Sequence, residues 1–122
     1  MRVRDVPIEG LAAVASRSHN SAATESYLDQ FQVASRVSRG SSLKICMVAC
    51  GQADLYPRLA PTMEWDIAAG DAVLRAAGGM LSAPDGSAMP YGKPGFFNSG
   101  FVAAGGLRAP PIQPFMADAA AR

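Results

Sequence analysis

The stretch from Trp65 to Gly79 (Trp-Asp-Ile-Ala-Ala-Gly-Asp-Ala-Val-Leu-Arg-Ala-Ala-Gly-Gly) constrains this chain more than any other. Its spacing predicts a helix. Ala68, Ala69, Ala72, Ala76 and Ala77 favour the helical state and let neighbouring elements come close, Val73 and Leu74 add bulk, and Gly78-Gly79 provides a left-handed stop. Such a composition predicts a helix that is buried. Asp66 stands in the first turn beside the only tryptophan. A carboxylate at the mouth of a buried helix loses hydration and needs something positive to meet it. A metal ion would serve; the plainer reading is an acid interacting with the positive end of the helix dipole.

The rest of the chain sets limits on what surrounds that helix. At 122 residues there is enough chain for one core and not two. With 17% charged residues and a formal charge of +1, no basic run marks a nucleic-acid polymer or a membrane as partner. No apolar run reaches the length of a membrane span, and Met1-Arg2-Val3-Arg4-Asp5 lacks a signal peptide's apolar region, so a cytoplasmic location is expected. Cys46 and Cys50 fall four apart on a predicted helix. Nothing completes a metal site around them, and they read as small buried hydrophobes.

Taken in order, residues through Gly10 form a lead-in. Leu11-Ala12-Ala13-Val14-Ala15 predicts a buried strand that ends in Ser16-Arg17-Ser18-His19. Polar residues gathered where a buried strand ends are what an open α/β sheet uses to hold a ligand. An amphipathic helix is expected over 22–31 and a strand over 33–38. Gly40-Ser41-Ser42-Leu43-Lys44 then opens a helix running to Gly51. It outlines an anion site: a glycine for the turn, serine hydroxyls and free amides at the helix start, and a lysine one turn in. Ala53-Asp54-Leu55-Tyr56-Pro57-Arg58 reads as a strand placing Arg58 at its end, where a guanidinium can grip a phosphate or lie against a purine. Strands are expected at 80–82 and 101–104, separated by a Pro84-Asp85-Gly86 turn and the loop Tyr91-Gly92-Lys93-Pro94-Gly95-Phe96-Phe97-Asn98. Residues 1–106 form the predicted domain, and 107–122, rich in Pro and Ala, a frayed tail. The alternation of strand and helix predicts an α/β fold, a layered α-β-α domain with a mixed sheet.

Several of these segments resemble one family. Trp65-Asp66-Ile67-Ala68-Ala69-Gly70 is similar to the signature with which the inositol-monophosphatase-like phosphatases open a helix, its Asp being a Mg2+ ligand. Ser16 to His19, Gly40 to Lys44, Asp54 to Arg58 and Tyr91 to Lys93 resemble blocks of the CysQ-type 3′(2′),5′-bisphosphate nucleotidase branch. The resemblance covers about Ala12 to Val102. It implies the C-terminal half of that fold, Mg2+ as cofactor with Asp66 as a ligand, and substrate contacts from His19, Ser41, Lys44 and Arg58. Glu64 would neighbour the metal ligand without being one. For His19, an ordinary solvated loop histidine is the alternative; for Ser41 and Lys44, a helix cap followed by a surface lysine.

One expected feature is missing. The family's Asp-Pro-(Ile or Leu)-Asp-Gly-Thr block and its upstream Glu-Glu pair do not occur in these residues. Mg2+ takes hard oxygen ligands in near-octahedral geometry, and one carboxylate cannot hold two metals. The chain therefore reads as a substrate-side half whose N-terminal counterpart is supplied in cis or by a complementing chain. The activity implied is removal of the 3′-phosphate of 3′-phosphoadenosine 5′-phosphate, giving AMP and phosphate, with a small nucleotide bisphosphate as the partner. An inositol-monophosphatase-type activity and a non-catalytic adenosine-phosphate-binding fragment are the alternatives.

Overall fold

A computed structural model of the chain describes residues 1–15, 22–38, 43–59 and 62–120. At its centre is a mixed sheet with strand order β2-β1-β3-β7-β5, built from β1 (Leu11–Ala15), β2 (Val33–Ser38), β3 (Leu55–Arg58), β5 (Met80–Ser82) and β7 (Phe101–Ala104). β1 pairs in parallel with β2 and β3, while β7 runs antiparallel to both β3 and β5. A second, short ladder joins β4 (Thr62–Met63) to β6 (Phe97–Asn98).

The side-chain alternation of the strands divides the core into two layers. Ala12 and Val14 of β1, Tyr56 of β3, and Phe101 and Ala103 of β7 face one side, packing with Ile45 and Val48 of α2 (Leu43–Ala49) and Ile67 and Leu74 of α3 (Glu64–Ala76). Leu11, Ala13, Leu55, Val102 and Ala104 face the other side, beneath Tyr27 and Leu28 of α1 (Ala22–Leu28) and alongside Ile112. Helix layers thus cover both faces, as the α-β-α expectation has it. The apolar runs of β1 and β7 are continuous because both of their faces are buried.

α3 ends as its glycine pair predicts. Gly78 has φ +97, and the amide of Gly79 donates to the Leu74 carbonyl at 2.9 Å, closing the helix with a left-handed turn. A Cβ on Gly79 would lie 2.7 Å from the Ala104 carbonyl oxygen, so only glycine lets the helix end come down onto β7. The expectation of a buried helix fails on one side, however. Ile67, Asp71, Leu74 and Ala77 are buried, but Trp65, Ala68, Ala69, Ala72 and Ala76 are exposed.

The ends of the chain are held more firmly than expected. The lead-in contributes Arg4, whose guanidinium donates from Nε and one Nη to the two carboxylate oxygens of Asp54 at 3.0 and 2.9 Å. Asp54 is fully buried and also accepts from the Ala12 amide at 2.8 Å. That bidentate pair ties the N-terminus to the junction of β1 and β3. In place of a frayed tail, residues 113–120 form α4 (Gln113–Ala120), with Pro114 in the first turn where its missing N–H costs nothing. Ile112 is fully buried, Phe115 meets the Tyr27 ring edge-on at 5.3 Å, and the Tyr27 hydroxyl donates to the Pro110 carbonyl at 2.7 Å. Both cysteines are free, but the expectation of burial fails: Cys46 is half-buried and Cys50 exposed just past the end of α2.

Two substitutions report on these anchors. Asp54→Ala strands the Ala12 amide and both Arg4 bonds, and is expected to lower the free energy of unfolding in urea by about 2 kcal/mol. Ile112→Ala leaves a void beneath α4 and is expected to cost about 3 kcal/mol by the same measurement. A tail that did not pack would make the second change nearly neutral.

Candidate functional site

Two cations converge on the ring of Tyr56. Lys44, the second residue of α2, is only 5% exposed, and its ammonium lies 5.4 Å from the Tyr56 ring centroid. Burial, and then the charge of Arg58, hold the Lys44 ammonium below its ordinary pKa. Burial pushes the Tyr56 phenol up, and a hydrogen bond with Arg58 partly opposes it. β3 dictates this arrangement. Tyr56 points to the α2–α3 side of the sheet, Arg58 lies two residues on in the same strand, and period two puts both on one face. No carboxylate among the described residues pairs with Lys44. A lysine that is buried, flanked by a second cation and lacking an anionic partner forms a pocket of positive charge suited to an anion.

Asp66, at the third position of α3, is exposed. One carboxylate oxygen accepts from the Met63 amide at 3.1 Å. It is thus a helix cap on an exposed side chain. Among the described residues no group of three or more His, Cys, Asp or Glu could hold a metal ion. Asp66 offers one oxygen ligand, and a Mg2+ ion in near-octahedral geometry is not satisfied by these residues alone. His19 and Ser41, the other two expected substrate residues, lie outside the described residues.

Nothing in the sequence pointed to the role of Glu64. It is buried at the first position of α3, where it accepts from the amides of Gly92 at 2.8 Å and Lys93 at 3.0 Å, and pairs with the Lys93 ammonium at 2.8 Å. The same ammonium donates to the Pro90 carbonyl at 2.6 Å. Two turns along, buried Asp71 accepts from the Tyr91 hydroxyl at 2.5 Å and from Arg75 Nε at 3.0 Å. The Tyr91-Gly92-Lys93 loop is therefore fastened along the start of α3, which fixes where that helix begins and how Asp66 is presented. Burial, then the bond to Asp71, raises the Tyr91 phenol far above its ordinary pKa. Beside the loop, Met89, Lys93, Phe97, Asn98 and Gly100 help line a small apolar hollow of about 130 Å3. The signal that could have exposed the clamp was a glutamate directly before the tryptophan, seven residues ahead of Asp71 and so on the same side of the helix.

The sequence pattern of the inositol monophosphatase family matches residues 4–117. The chain belongs to that family. Among curated relatives, 89 residues are 48% identical to the 3′(2′),5′-bisphosphate nucleotidase CysQ of Escherichia coli (strain K12), a match spanning 72% of this chain and 36% of that protein. An uncharacterized protein in the pss 5′ region of Rhizobium leguminosarum bv. phaseoli is 55% identical over 75 residues, covering 57% of this chain and 79% of that one. Among solved structures, CysQ from Bacteroides thetaiotaomicron, a bacterial member of the family, superposes with a TM-score of 0.74 at 42% identity, over 88% of this chain and 41% of that one. The chain spans little more than a third of the length of the Escherichia coli relative it matches.

This family member's loop clamp has a readable pH signature. The Lys93 ammonium, with the amides of Gly92 and Lys93, holds the Glu64 carboxyl below its ordinary value of 4.5. The clamp's contribution is fully present above pH 4.5 and is lost as pH falls through the depressed folded value. Glu64→Gln is therefore expected to be less stable at neutral pH and to lose stability less steeply in acid. Thermal unfolding followed by circular dichroism between neutral and acid pH measures both slopes; parallel slopes would remove the ion pair from the account.

Proposed function

We propose that the chain forms the substrate-side part of a phosphomonoesterase that removes the 3′-phosphate of 3′-phosphoadenosine 5′-phosphate, giving AMP and phosphate, with Mg2+ as cofactor. The observation that carries this reading is the convergence of buried Lys44 and Arg58 on Tyr56, with no carboxylate on Lys44 among the described residues. The two cations bind phosphate oxygens, and the Arg58 plane offers a surface for a base. His19 and Ser41 join them at the phosphate and ribose. Asp66 supplies one oxygen ligand to Mg2+, whose other ligands come from outside these residues; when bound, the ion supplies charge neutralisation and water activation. In the overall hydrolysis the oxygen of water forms the new bond to phosphorus, the ester P–O bond breaks, and the departing 3′-oxygen takes up a proton. Identity of 48% to a protein named 3′(2′),5′-bisphosphate nucleotidase supports this substrate over an inositol phosphate.

A second reading, binding without catalysis by these 122 residues, is favoured by the absence, among the described residues, of any group of three or more His, Cys, Asp or Glu that could hold a metal ion. Titration calorimetry with adenosine 3′,5′-bisphosphate is expected to give a millimolar-range Kd, about 4 kcal/mol, for the 122-residue protein. Lys44→Ala abolishes it, and binding weakens as pH rises past a point below the ordinary lysine value of 10.5, because the anion needs the ammonium form. In a Mg2+-dependent phosphatase assay, no turnover above the Lys44→Ala control is expected. Clear turnover by this protein would discard the binding-only reading, and inositol 1-phosphate binding as tightly as the bisphosphate would discard the substrate.

A further inference from the structure

From Lys44 to Cys50, α2 and the residue that ends it reach the surface through sulfur alone. Lys44, Ile45, Met47, Val48 and Ala49 are buried, while Cys46 is half-buried and Cys50 exposed, both as free thiols. The two stand four residues apart, and the Cys50 amide donates to the Cys46 carbonyl at 2.9 Å, so helical geometry runs through both and stacks their side chains on one face. The Cys50 thiol reaches back to the Met47 carbonyl at 3.5 Å, toward the turn that carries Cys46. This end of the helix is pinned. Gly51, at φ +82, makes a left-handed stop in which its own amide donates to the Val48 carbonyl at 3.2 Å and the Gln52 amide to that of Met47 at 3.0 Å. On the inner side Ile45 packs against Gly70 of α3, where an added Cβ would lie 3.2 Å from it. The spacing of the two sulfurs is therefore set before any ligand arrives.

That spacing decides what can bridge them. A disulfide needs Cβ atoms about 3.5–4.5 Å apart, whereas residues four apart on a helix hold theirs at about 5–6 Å, so closing the bond would distort the last turn. An ion between the sulfurs adds a metal–sulfur bond of about 2.3 Å on either side and spans the gap with the backbone in place. Zinc and other four-coordinate ions find too few ligands, since no group of three or more His, Cys, Asp or Glu could hold a metal among the described residues. Two thiolates satisfy a soft ion that needs only two ligands, and sulfur of this kind selects copper(I). We propose that Cys46 and Cys50 form a two-sulfur site for a thiophilic monovalent cation of the copper(I) class. As the two metal–sulfur bonds form, both S–H bonds break and the protons pass to solvent. The site uses none of the residues assigned to phosphate or Mg2+, and it stands whether or not the phosphatase reading does.

Competition for copper(I) between the 122-residue protein and a chromogenic chelator, under anaerobic reducing conditions, tests the site without any substrate. One ion per chain is expected, with the protein monomeric by light scattering and both thiols protected from a maleimide. Cys46→Ser and Cys50→Ser are each expected to weaken binding at least about a hundredfold, because the second sulfur no longer acts at high effective concentration. Cys50→Ser combined with Gln52→Cys keeps two thiols but moves one to an exposed position past the left-handed turn, and is expected to bind no better than Cys50→Ser alone. Wild-type affinity in either single-serine variant, or in the displaced pair, would overturn the proposal. So would a wild-type protein that yields all its copper(I) to the chelator, or one that takes half an ion per chain and dimerises, which would assign the ion to Cys50 thiols of two copies.

Discussion

The bonding of Glu64 to Gly92 and Lys93 determines how α3 is set against the rest of the molecule. A carboxylate this enclosed is tolerated only because two amides and an ammonium satisfy it, and removing any of them would leave a charge without its hydration. With Asp71 doing the same for Tyr91 two turns along, both polar attachments of α3 lie on one side. The rotation of the helix about its axis is thereby fixed. It follows that Ile67 and Leu74 enter the core, Asp66 is left at the rim, and the alanines look outward.

The cation cluster has a different origin, in the pleat of β3. Tyr56 fills the core side of that strand and meets Phe101 edge-on at 5.3 Å, a rigid platform whose polar rim is shared by Lys44 and Arg58. Holding two positive charges together inside a protein is costly, and that cost is carried by the surrounding packing. On the proposed function, an arriving phosphate relieves it, so that binding strength draws partly on repulsion already present between the two cations and not only on new contacts.

What could be read in the sequence was whatever depends on local pattern. β1 and β7 were visible as unbroken apolar runs, the end of α3 as a glycine pair, and Lys44 and Arg58 as cations at the start of a helix and the end of a strand. What could not be read depends on partners far apart in the chain. Arg4 looked like part of a charged lead-in because its partner, Asp54, comes from another strand. Glu64 passed as a neighbour of the motif for the same reason. β4 and β6 are two residues each, too short to carry any periodicity, and exist only because they pair with one another. α4 was hidden by three prolines, which lowered its apparent helicity although Pro114 occupies the position where proline is compatible with a helix start.

The placement of β7 bears on how the chain assembles. β3 and β5 are not neighbours; β7 lies between them and bonds to both. A polypeptide emerging from the ribosome thus completes β1, β2 and β3 while β3 still shows an open edge, and β5 has nothing to join until Phe101–Ala104 has been made. The sheet closes from within, by insertion of a late strand into a waiting gap, and until then the nascent chain offers bare strand edges to any neighbour.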